Sequence, residues 1–212
     1  MDRFETLEVA GWISAIEGMR APLKSYDKSD SIDAYYDKFI LGEKDYKLAK
    51  TLCQSGPEHR KWMRQIQVWA KISMPLYWWS EFDTYKIGTS ANSESTMHTL
   101  MKRPLTLDDF DTEYMSQEGI DQLENVINGL NTWIDIYPRF DDNEEKEKLF
   151  INMKSLLPTS FIQTRYVNLN YEVLHNMYHQ RKNHRLPQWS TDFVSWVETL
   201  PYSEFITEKF DN

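Results

Sequence analysis

The sequence contains a single cysteine, Cys53, which excludes an internal disulfide framework and a thiolate metal cluster. Cys53 lies on an apolar turn, so we expect it to be buried and inert. The sequence also lacks a charged segment followed by an apolar stretch at its start, and it lacks any run of about 18 apolar residues. We therefore expect a cytoplasmic protein that does not span a membrane. The net charge of −9 and the absence of a long basic run argue against a general nucleic-acid-binding protein.

The composition is that of a folded protein. Hydrophobic residues make up 41% of the 212 residues and aromatic residues 14%, which is enough for a sizeable core or subunit interface. No linker-like segment, internal repeat or low-complexity segment is present, so we expect a single domain over 1–212. The predicted fold class is α/β or α+β, with a small mixed or antiparallel sheet flanked by helices. A small anionic ligand is compatible with the negative net charge, because the few charges that line a cleft set its local potential.

Hydrophobic spacing predicts the elements of the first 74 residues. Leu7, Val9, Trp12 and Ile16 indicate a short strand that passes into an amphipathic helix ending near Arg20. The segments that follow are predicted to be a flexible connection at 25–46 with a short helix at 31–40, one or two helical turns around Leu48 and Leu52, and a half-buried strand at 61–74.

The stretch 75–98, PLYWWSEFDTYKIGTSANSESTMH, is the centre of the functional prediction. Pro75 opens an aromatic helix, and Gly88 then breaks the helical pattern. The TSANSEST run that follows is predicted to be a loop whose hydroxyl and amide groups bind a ligand, because small polar residues cannot form a hydrophobic core. A solvated surface loop is the alternative interpretation.

Three further helices are predicted in the second half of the chain. Apolar residues at spacings of three and four indicate an amphipathic helix at 116–136. The acidic run at 141–148 is predicted to begin the next helix, with Leu149, Met153 and Leu156 facing inward. A third helix is expected at 166–185. The tail from 190 is expected to dock on the body through its apolar residues, which are Phe193, Trp196, Val197, Phe205 and Ile206.

Several segments, taken in this order, resemble the flavin-dependent thymidylate synthases. GWISAIEGMR resembles the family's first helix, which precedes a loop containing a serine, here Ser25. SGPEHRKWMRQIQVWAKISMPLYWW resembles the family's Ser-x-x-Glu-His, strand, proline and helix series. The family signature RHRxxSxNExSxR is similar to residues 84–97, where this chain has one extra residue inside the motif. KSLLP at 154–158 and the later Asn170, Asn176, Arg181 and Gln188-Trp189 are similar to the family's Arg-x-x-Leu-Pro, Asn, Asn, Arg and Ala-Gln-Trp series.

The resemblance implies an enzyme that methylates dUMP or a related pyrimidine nucleotide at C5, with FAD as cofactor and NADPH and methylene-tetrahydrofolate as co-substrates. It also implies a homotetramer whose active sites are built from several subunits. No protein nucleophile is implied, because the cofactor supplies the hydride and the protein supplies orientation and charge. The implied substrate-binding residues are Glu81, Lys86, Ser93, Glu94, Ser95, Lys154 and Arg181. The implied cofactor-binding residues are Ser25, Asn92, Asn170, Asn176 and Gln188.

The signature departs from the family pattern at several positions. Thr84 and Tyr85 replace its first Arg and its His, Lys86 replaces its third residue, Ser93 replaces its Glu, and Met97 replaces its last Arg. The loss of two arginines predicts that nucleotide binding is weakened by roughly two to four decades. The residues that are able to compensate are Lys86, Lys102 and Arg103. A non-catalytic nucleotide- or flavin-binding module on the same fold is therefore the alternative function, and a partner-binding structural protein is a third.

Asn170 and Arg181 are 11 residues apart, which is close to three helical turns. A continuous helix would present both side chains on one face, with Asn176 about a third of a turn away. We expect this face and the signature segment to close over a flat heterocycle.

Histidines and aromatic residues in the same regions have competing interpretations. His175 and His179 have the i, i+4 spacing of two metal ligands, but no carboxylate completes a zinc motif, so we expect no metal site. Tyr77, Trp78 and Trp79 could stack on a flavin or a base, although a position in the core or in an interface is the commoner role of such residues.

Overall fold

A computed structural model describes residues 3–34 and 38–210 of the chain. Within these ranges the strands are β1 (Phe4–Ala10), β2 (Ile32–Ala34), β3 (Lys38–Ile40), β4 (Gln67–Pro75), β5 (Thr89–Ser93) and β6 (Ile162–Asn170). The α-helices in the same ranges are α1 (Trp12–Arg20), α2 (Glu43–Gln54), α3 (Leu76–Phe82), α4 (Thr96–Thr99), α5 (Gln117–Ile136), α6 (Asn143–Leu156), α7 (Tyr171–Arg181), α8 (Val194–Glu198) and α9 (Glu204–Thr207). Across the described part of the chain, no helix combines the length and the hydrophobicity needed to cross a bilayer.

Four of the described strands form one antiparallel sheet in the order β1-β4-β6-β5. β1 pairs with β4 from Phe4 opposite Ile72 to Ala10 opposite Gln67, with an irregularity between Thr6 and Glu8. The predicted class, a mixed α/β fold with a small sheet flanked by helices, is confirmed. β2 and β3 form a separate hairpin.

The chain divides into two compact units. The first comprises Tyr85–Ala91 together with the described residues up to Ile72 and from Tyr166 onward, and the second comprises Ser73–Thr84 and Asn92–Arg165. Each unit has its own buried side chains. The single domain expected from the sequence stays a prediction.

Aromatic side chains fill much of the interior of the first unit. The ring of Trp12 stacks on Phe39 at a centroid distance of 5.2 Å and meets the edges of Tyr171 and Tyr202. The predicted docking of the C-terminal tail is confirmed, because Phe193, Val197, Phe205 and Ile206 are fully buried and Trp196 is 6% exposed. Burial of large aromatic side chains supplies the main hydrophobic stabilisation of this unit.

The second unit is organised around the amphipathic helix α5, as its spacing predicts. Ser116 caps the helix by accepting a hydrogen bond from the backbone N–H of Gly119 at 3.2 Å. The buried residues of α5 pack with α6 and with the segment after α4 in one cluster. The members of this cluster are Leu100, Leu105, Phe110, Leu123, Ile127, Leu130, Ile134, Met153 and Leu157.

Cys53 occupies the interior of the first unit, as predicted. Its side chain is fully buried, and its Sγ lies 3.7 Å from Sδ of Met63. Burial disfavours the thiolate and raises the pKa of Cys53 to about 12.

Three predictions in the first half are wrong, and the first is the connection expected at 25–46, because helix α2 begins within it at Glu43. The strand expected at 61–74 begins only at Gln67, because Arg60–Gln65 forms a 3-10 helix. Trp62 and Met63 are both buried, which a helical turn allows and an alternating strand does not. The short helix expected at 31–40 is wrong where it is described, since Ile32–Ala34 and Lys38–Ile40 pair as β2 and β3. Residues 35–37 lie outside the described residues.

Three further predictions are wrong in the second half. The donor-rich run after Gly88 is not a loop along its whole length, because residues 89–93 form the edge strand β5. The helix expected at 166–185 begins only at Tyr171, and the residues before it belong to β6. Leu156 is 59% exposed, and Leu157 is buried instead because the backbone leaves the helical conformation there.

Candidate functional site

The first part of the signature segment lies along helix α7 within the first unit. Gly88 has a positive φ of 76°, and a Cβ atom at this position would come within 2.8 Å of Nδ2 of Asn170 and 2.9 Å of Cγ2 of Val173. Only glycine allows both the left-handed backbone and this close approach. Gly88 therefore fixes the segment against the beginning of α7.

Tyr85 holds the same segment at the other end of α7. Its hydroxyl donates a hydrogen bond to Oε1 of Gln180 at 2.9 Å and accepts one from Nε of Arg181 at 2.9 Å. The hydroxyl of Thr89 in turn donates to the backbone carbonyl of Tyr85. The segment is thus attached to α7 at two points.

Arg181, a predicted substrate-binding residue, has a well-defined environment. Its guanidinium carbon lies 5.4 Å from the centre of the Tyr85 ring and 4.7 Å from the centre of the Trp189 ring. Stacking on aromatic faces favours a guanidinium over an ammonium at this place. Arg181 is half-buried, so the side chain is both ordered by the protein and accessible to solvent.

Asn170, a predicted cofactor-binding residue, is the N-cap of α7 and not a member of the helix. Its Oδ1 accepts a hydrogen bond from the backbone N–H of Val173 at 3.1 Å, and its side chain is 8% exposed. The expectation that a continuous helix carries both Asn170 and Arg181 is therefore wrong, because the strand β6 ends at Asn170. Asn176 is exposed on the solvent side of α7, whereas Gln188 is buried at the start of the π-helical segment Gln188–Phe193.

Ser25 lies in a loop that a buried ion pair holds. Nε of Arg20 donates to Oδ1 of Asp45 at 2.5 Å, and Nη1 of Arg20 donates to the backbone carbonyl of Ser25 at 3.3 Å. Oδ2 of Asp45 accepts further hydrogen bonds from the hydroxyl of Ser29, the backbone N–H of Asp30, and the N–H and hydroxyl of Ser31. The ion pair thereby fixes the loop that presents the half-buried Ser25. Lys86, the other predicted residue of this unit, is exposed.

The remaining signature residues lie in the second unit, on or just after the edge strand β5. Asn92 and Ser93 are exposed on the strand, and Glu94 and Ser95 follow it. The backbone N–H of Glu94 donates to the carbonyl of Thr164 at 3.0 Å, and Nε2 of Gln163 donates to the carbonyl of Glu94 at 2.8 Å. These backbone contacts determine the position of Ser95.

A cavity of about 330 Å³ opens beside Ser95 within the second unit. Its wall combines hydroxyl groups, one amide, charged side chains and an apolar side. The lining residues are Glu94, Ser95, Thr96, Thr99, Leu100, Arg103, Leu105, Asp109, Phe161, Ile162 and Gln163. Lys154, from the last turn of α6, donates a hydrogen bond from Nζ to Oγ1 of Thr96 at 2.6 Å. The structure thus brings together Glu94, Ser95 and Lys154, three of the predicted substrate-binding residues.

Arg103 also lines this cavity, where it forms an ion pair with Asp109. Nη1 of Arg103 donates to Oδ2 of Asp109 at 2.8 Å, and Nη2 contacts Oδ1 of the same carboxylate. Burial opposes ionisation of Asp109, but the hydrogen bonds from Arg103 and from Thr106 outweigh it and lower its pKa. The guanidinium is therefore neutralised by a carboxylate, which weakens the case for Arg103 as a replacement for a signature arginine.

The aromatic helix α3 belongs to the interior of the second unit. Trp78 and Trp79 are fully buried, and Nε1 of Trp79 donates to the carbonyl of Gln163 at 2.8 Å. The hydroxyl of Tyr77 donates to Oδ2 of Asp111 at 3.0 Å. The interpretation of the two tryptophans as core residues is confirmed. Glu81 is half-buried on the same helix.

His175 and His179 have structural partners in the first unit. Nε2 of His175 lies 3.0 Å from Nη1 of Arg60, which donates to it, and Nδ1 lies 3.0 Å from the carbonyl of Ile206. Nε2 of His179 lies 3.0 Å from the carbonyl of Glu208. Among the described residues, no group of three or more His, Cys, Asp or Glu side chains is arranged to hold a metal ion.

His175 predicts a pH dependence of stability. Burial, followed by the neighbouring His179 and Arg60, lowers its pKa to about 4. The unfolded chain binds a proton near pH 6.5 and the folded chain does not, so acidification from pH 7 to 4 is expected to remove about 3 kcal/mol of unfolding free energy. Urea unfolding across this range measures the effect. His175→Gln should flatten the pH dependence, whereas His98→Gln at an exposed position should not. Equal slopes in all three proteins would contradict the assignment.

The sequence carries little signal for several of these groups. Tyr85 was identified only as a departure from the signature, and Thr96 occupies a position where the signature specifies no residue type. Asp45 carries no local signal, because its partner Arg20 is 25 residues away in the chain. A buried ion pair of this kind is visible only in three dimensions.

No protein-family model and no curated protein sequence matches the chain. Solved structures do match over nearly the full length. Flavin-dependent thymidylate synthase ThyX from Helicobacter pylori, complexed with FAD and dUMP, matches in one structure with a TM-score of 0.69 at 14% identity, covering 97% of this chain and 97% of that chain. A second structure of ThyX from Helicobacter pylori, also with FAD and dUMP, matches with a TM-score of 0.72 at 16% identity, covering 97% of this chain and 96% of that chain.

The UMP/dUMP methylase PolB from Streptomyces cacaoi, bound with 5-Br dUMP, matches with a TM-score of 0.61 at 15% identity, covering 96% of this chain and 94% of that chain. At sequence identities of 14–16%, this structural similarity establishes the fold alone. The family resemblance inferred from the sequence is confirmed at that level, and the chain has the fold of the flavin-dependent thymidylate synthases and of the PolB methylase.

Proposed function

We propose that this protein is a divergent flavin-dependent thymidylate synthase-like enzyme that methylates dUMP or a related pyrimidine nucleotide at C5. The observation that carries the proposal is the group formed by Lys154, Thr96 and Ser95 at the cavity of the second unit. It occurs on a chain with the fold of two nucleotide methylases. A cavity of about 330 Å³ is at the lower end of the range for small-molecule sites.

The chemistry of this group suits a phosphate. The ammonium of Lys154 supplies a positive charge beside the hydroxyl of Thr96, and the hydroxyl of Ser95 lines the same cavity. The hydroxyl of Thr99 already donates to the backbone carbonyl of Ser95 at 2.8 Å. Lysine neutralises a phosphate as a point charge and lacks the forked contact of arginine. We therefore expect weaker nucleotide binding than a signature with both arginines would give.

In the proposed reaction the methylene carbon of methylene-tetrahydrofolate passes to C5 and the C5 hydrogen leaves as a proton. FAD in its reduced form, when bound, would supply the hydride that completes the methyl group; tetrahydrofolate would be released, and NADPH would restore the reduced flavin. The chain's own residues bind and orient. Lys154 and Ser95 are proposed to hold the phosphate in the second unit, and the pyrimidine is proposed to meet an Arg181 of the assembly. In the proposed homotetramer, which we place in the cytoplasm, several subunits contribute to one site.

The donors proposed for the flavin fit less well than those proposed for the phosphate. Oδ1 of Asn170 already caps α7, Gln188 is buried, and Asn176 faces solvent. These positions favour a second candidate function, a non-catalytic module that binds a nucleotide on the same fold. The third hypothesis, a structural protein, predicts no small-molecule affinity.

Replacing Lys154 by alanine tests the phosphate site. The dissociation constant for dUMP is expected to rise roughly 10- to 100-fold, because a charge-assisted hydrogen bond contributes about 1.5–3 kcal/mol. Isothermal titration calorimetry measures the change. Lys148→Ala is the matched control, since Lys148 is an exposed lysine of the same helix whose partner is Glu144. Equal losses in both variants would overturn the assignment.

A second experiment separates the enzyme from the binding module. The purified protein is titrated with dUMP, dTMP and FAD and is then assayed for tritium release from dUMP labelled at C5. Release that depends on FAD and methylene-tetrahydrofolate supports the enzyme. Binding without release supports the module. The absence of affinity for all three ligands would overturn both.

A further inference from the structure

We infer that Tyr85 is a positioning residue for Arg181, and that it sets the direction in which the guanidinium meets its ligand. The inference rests on the proposed function only for the identity of that ligand, a pyrimidine nucleotide. The positioning itself rests on the contacts within the first unit. The residue lies where the family signature has a histidine, so this arrangement is a property of this chain.

The hydrogen-bond directions make Tyr85 an oriented acceptor for Arg181. An arginine Nε–H can only donate, so the tyrosine oxygen accepts from it over 2.9 Å. The tyrosine hydroxyl proton is then directed to Oε1 of Gln180, also over 2.9 Å. Gln180 thereby turns a lone pair of the tyrosine oxygen toward Arg181.

Two aromatic rings complete the positioning. The guanidinium carbon lies 5.4 Å from the centre of the Tyr85 ring and 4.7 Å from that of Trp189, which restricts the plane of the guanidinium group. Because Nε of Arg181 is bound to Tyr85, this hydrogen bond and the two rings set the plane in which the guanidinium meets a pyrimidine edge. A long side chain with many rotamers is thus ordered before its ligand arrives, which lowers the entropic loss on binding.

The backbone also holds Tyr85 in place. Gly88 packs on Asn170 and Val173 three residues later, and the hydroxyl of Thr89 binds the Tyr85 carbonyl. The tyrosine is therefore carried by a segment that is fixed on both sides of its side-chain contact. A flexible loop would not hold the hydroxyl at one distance from Arg181.

The variant Tyr85→Phe tests the positioning without any ligand. It keeps the ring and removes only the oxygen that accepts from Arg181. The measurement is the NMR signal of the Arg181 Nε–H group, whose exchange with water we expect to become at least tenfold faster. Tyr178→Phe is the matched control, because it removes a hydroxyl of α7 whose acceptor, at 2.9 Å, is Glu198. Unchanged exchange in Tyr85→Phe would overturn the inference.

Nucleotide titration then tests what the positioning does. We expect the dissociation constant for dUMP to rise about tenfold in Tyr85→Phe and to stay at the wild-type value in Tyr178→Phe, with thermal unfolding recorded for both. Gln180→Leu should reproduce part of the loss of dUMP affinity. Gln180→Glu keeps an acceptor for the Tyr85 hydroxyl, so it should have an affinity close to that of the wild type. Faster Nε–H exchange with an unchanged dissociation constant would overturn the binding role. A wild-type chain that does not bind dUMP would overturn the proposed function, and the exchange measurement would still decide whether Tyr85 positions Arg181.

Discussion

Asp45→Asn is expected to lower the free energy of unfolding by about 3–5 kcal/mol, the largest effect of any single substitution considered for this chain. The carboxylate is fully buried and accepts hydrogen bonds from Arg20, Ser29, Asp30 and Ser31. An asparagine has the same shape but presents an NH2 group to donors and leaves the buried guanidinium of Arg20 without its counter-charge. Chemical unfolding of both proteins at neutral pH measures the difference.

Glu43→Gln is the matched control for this substitution, because it lies on the same helix and breaks the exposed ion pair with Lys47. Exposed pairs contribute little, so we expect the free energy of unfolding to stay close to the wild-type value. The double variant Arg20→Met with Asp45→Asn removes both charges and keeps an amide oxygen as acceptor for Ser29 and Ser31, so it should recover part of the stability lost in Asp45→Asn alone. A loss in Asp45→Asn no larger than in Glu43→Gln would refute the role of the buried pair.

Asp45 also contributes a pH dependence of its own. Burial favours the neutral acid, but the hydrogen bonds from Ser31, Ser29, Arg20 and the backbone of Asp30 outweigh it and lower the pKa to about 2. The contribution is fully present above the unfolded-state pKa near 3.8 and is lost as the pH falls toward 2. His175 acts at higher pH, so the two groups are separable in an acid titration of stability.

Gly88→Ala is expected to lower the free energy of unfolding by about 2–4 kcal/mol, the second-largest effect. The left-handed backbone costs an alanine roughly 1–2 kcal/mol, and overpacking against Asn170 and Val173 adds about 1–3 kcal/mol. The substitution should also displace Tyr85 from Arg181 and weaken dUMP binding. Chemical unfolding and calorimetric titration measure the two effects.

Gly129→Ala is the matched control for Gly88→Ala. Gly129 lies inside α5, and a Cβ atom there would have no neighbour within 4 Å. The substitution is expected to stabilise the protein by about 0.5–1 kcal/mol, since glycine is a poor helix former. If both variants changed stability in the same direction, the close packing at Gly88 would not be the cause.

The sequence predicted the elements whose hydrophobic residues all lie on one face and pack against one hydrophobic core. Helix α5 is the best case, because its buried leucines and isoleucines follow the helical period without interruption. The prediction for the stretch that forms β5 was wrong for the opposite reason. Its small polar side chains are exposed and have low strand propensity, so hydrogen bonding along the sheet edge decides the structure.

The sequence does contain signals for the boundary between β6 and α7, namely strand alternation before it and an N-cap residue at it. Val167 and Leu169 are buried while Tyr166 is exposed, which is the alternation of a strand. Asn170 is a preferred N-cap type, and it accepts from the N–H three residues later. The sequence predicted Lys154 and Ser95 in the second unit and Arg181 in the first as candidates, but the contacts of Thr96 and Tyr85 depend on distances that no local pattern encodes.

Because Cys53 is buried, its reaction with a thiol reagent can report local unfolding of the first unit. A sulfhydryl reagent can react only with molecules in which the interior around Met63 has transiently separated, because the folded thiol is enclosed and resists ionisation. With one thiol per chain, the labelling rate reads a single location and needs no engineered probe. The labelling rate, measured with and without nucleotide, would show whether a ligand reduces local unfolding of the first unit.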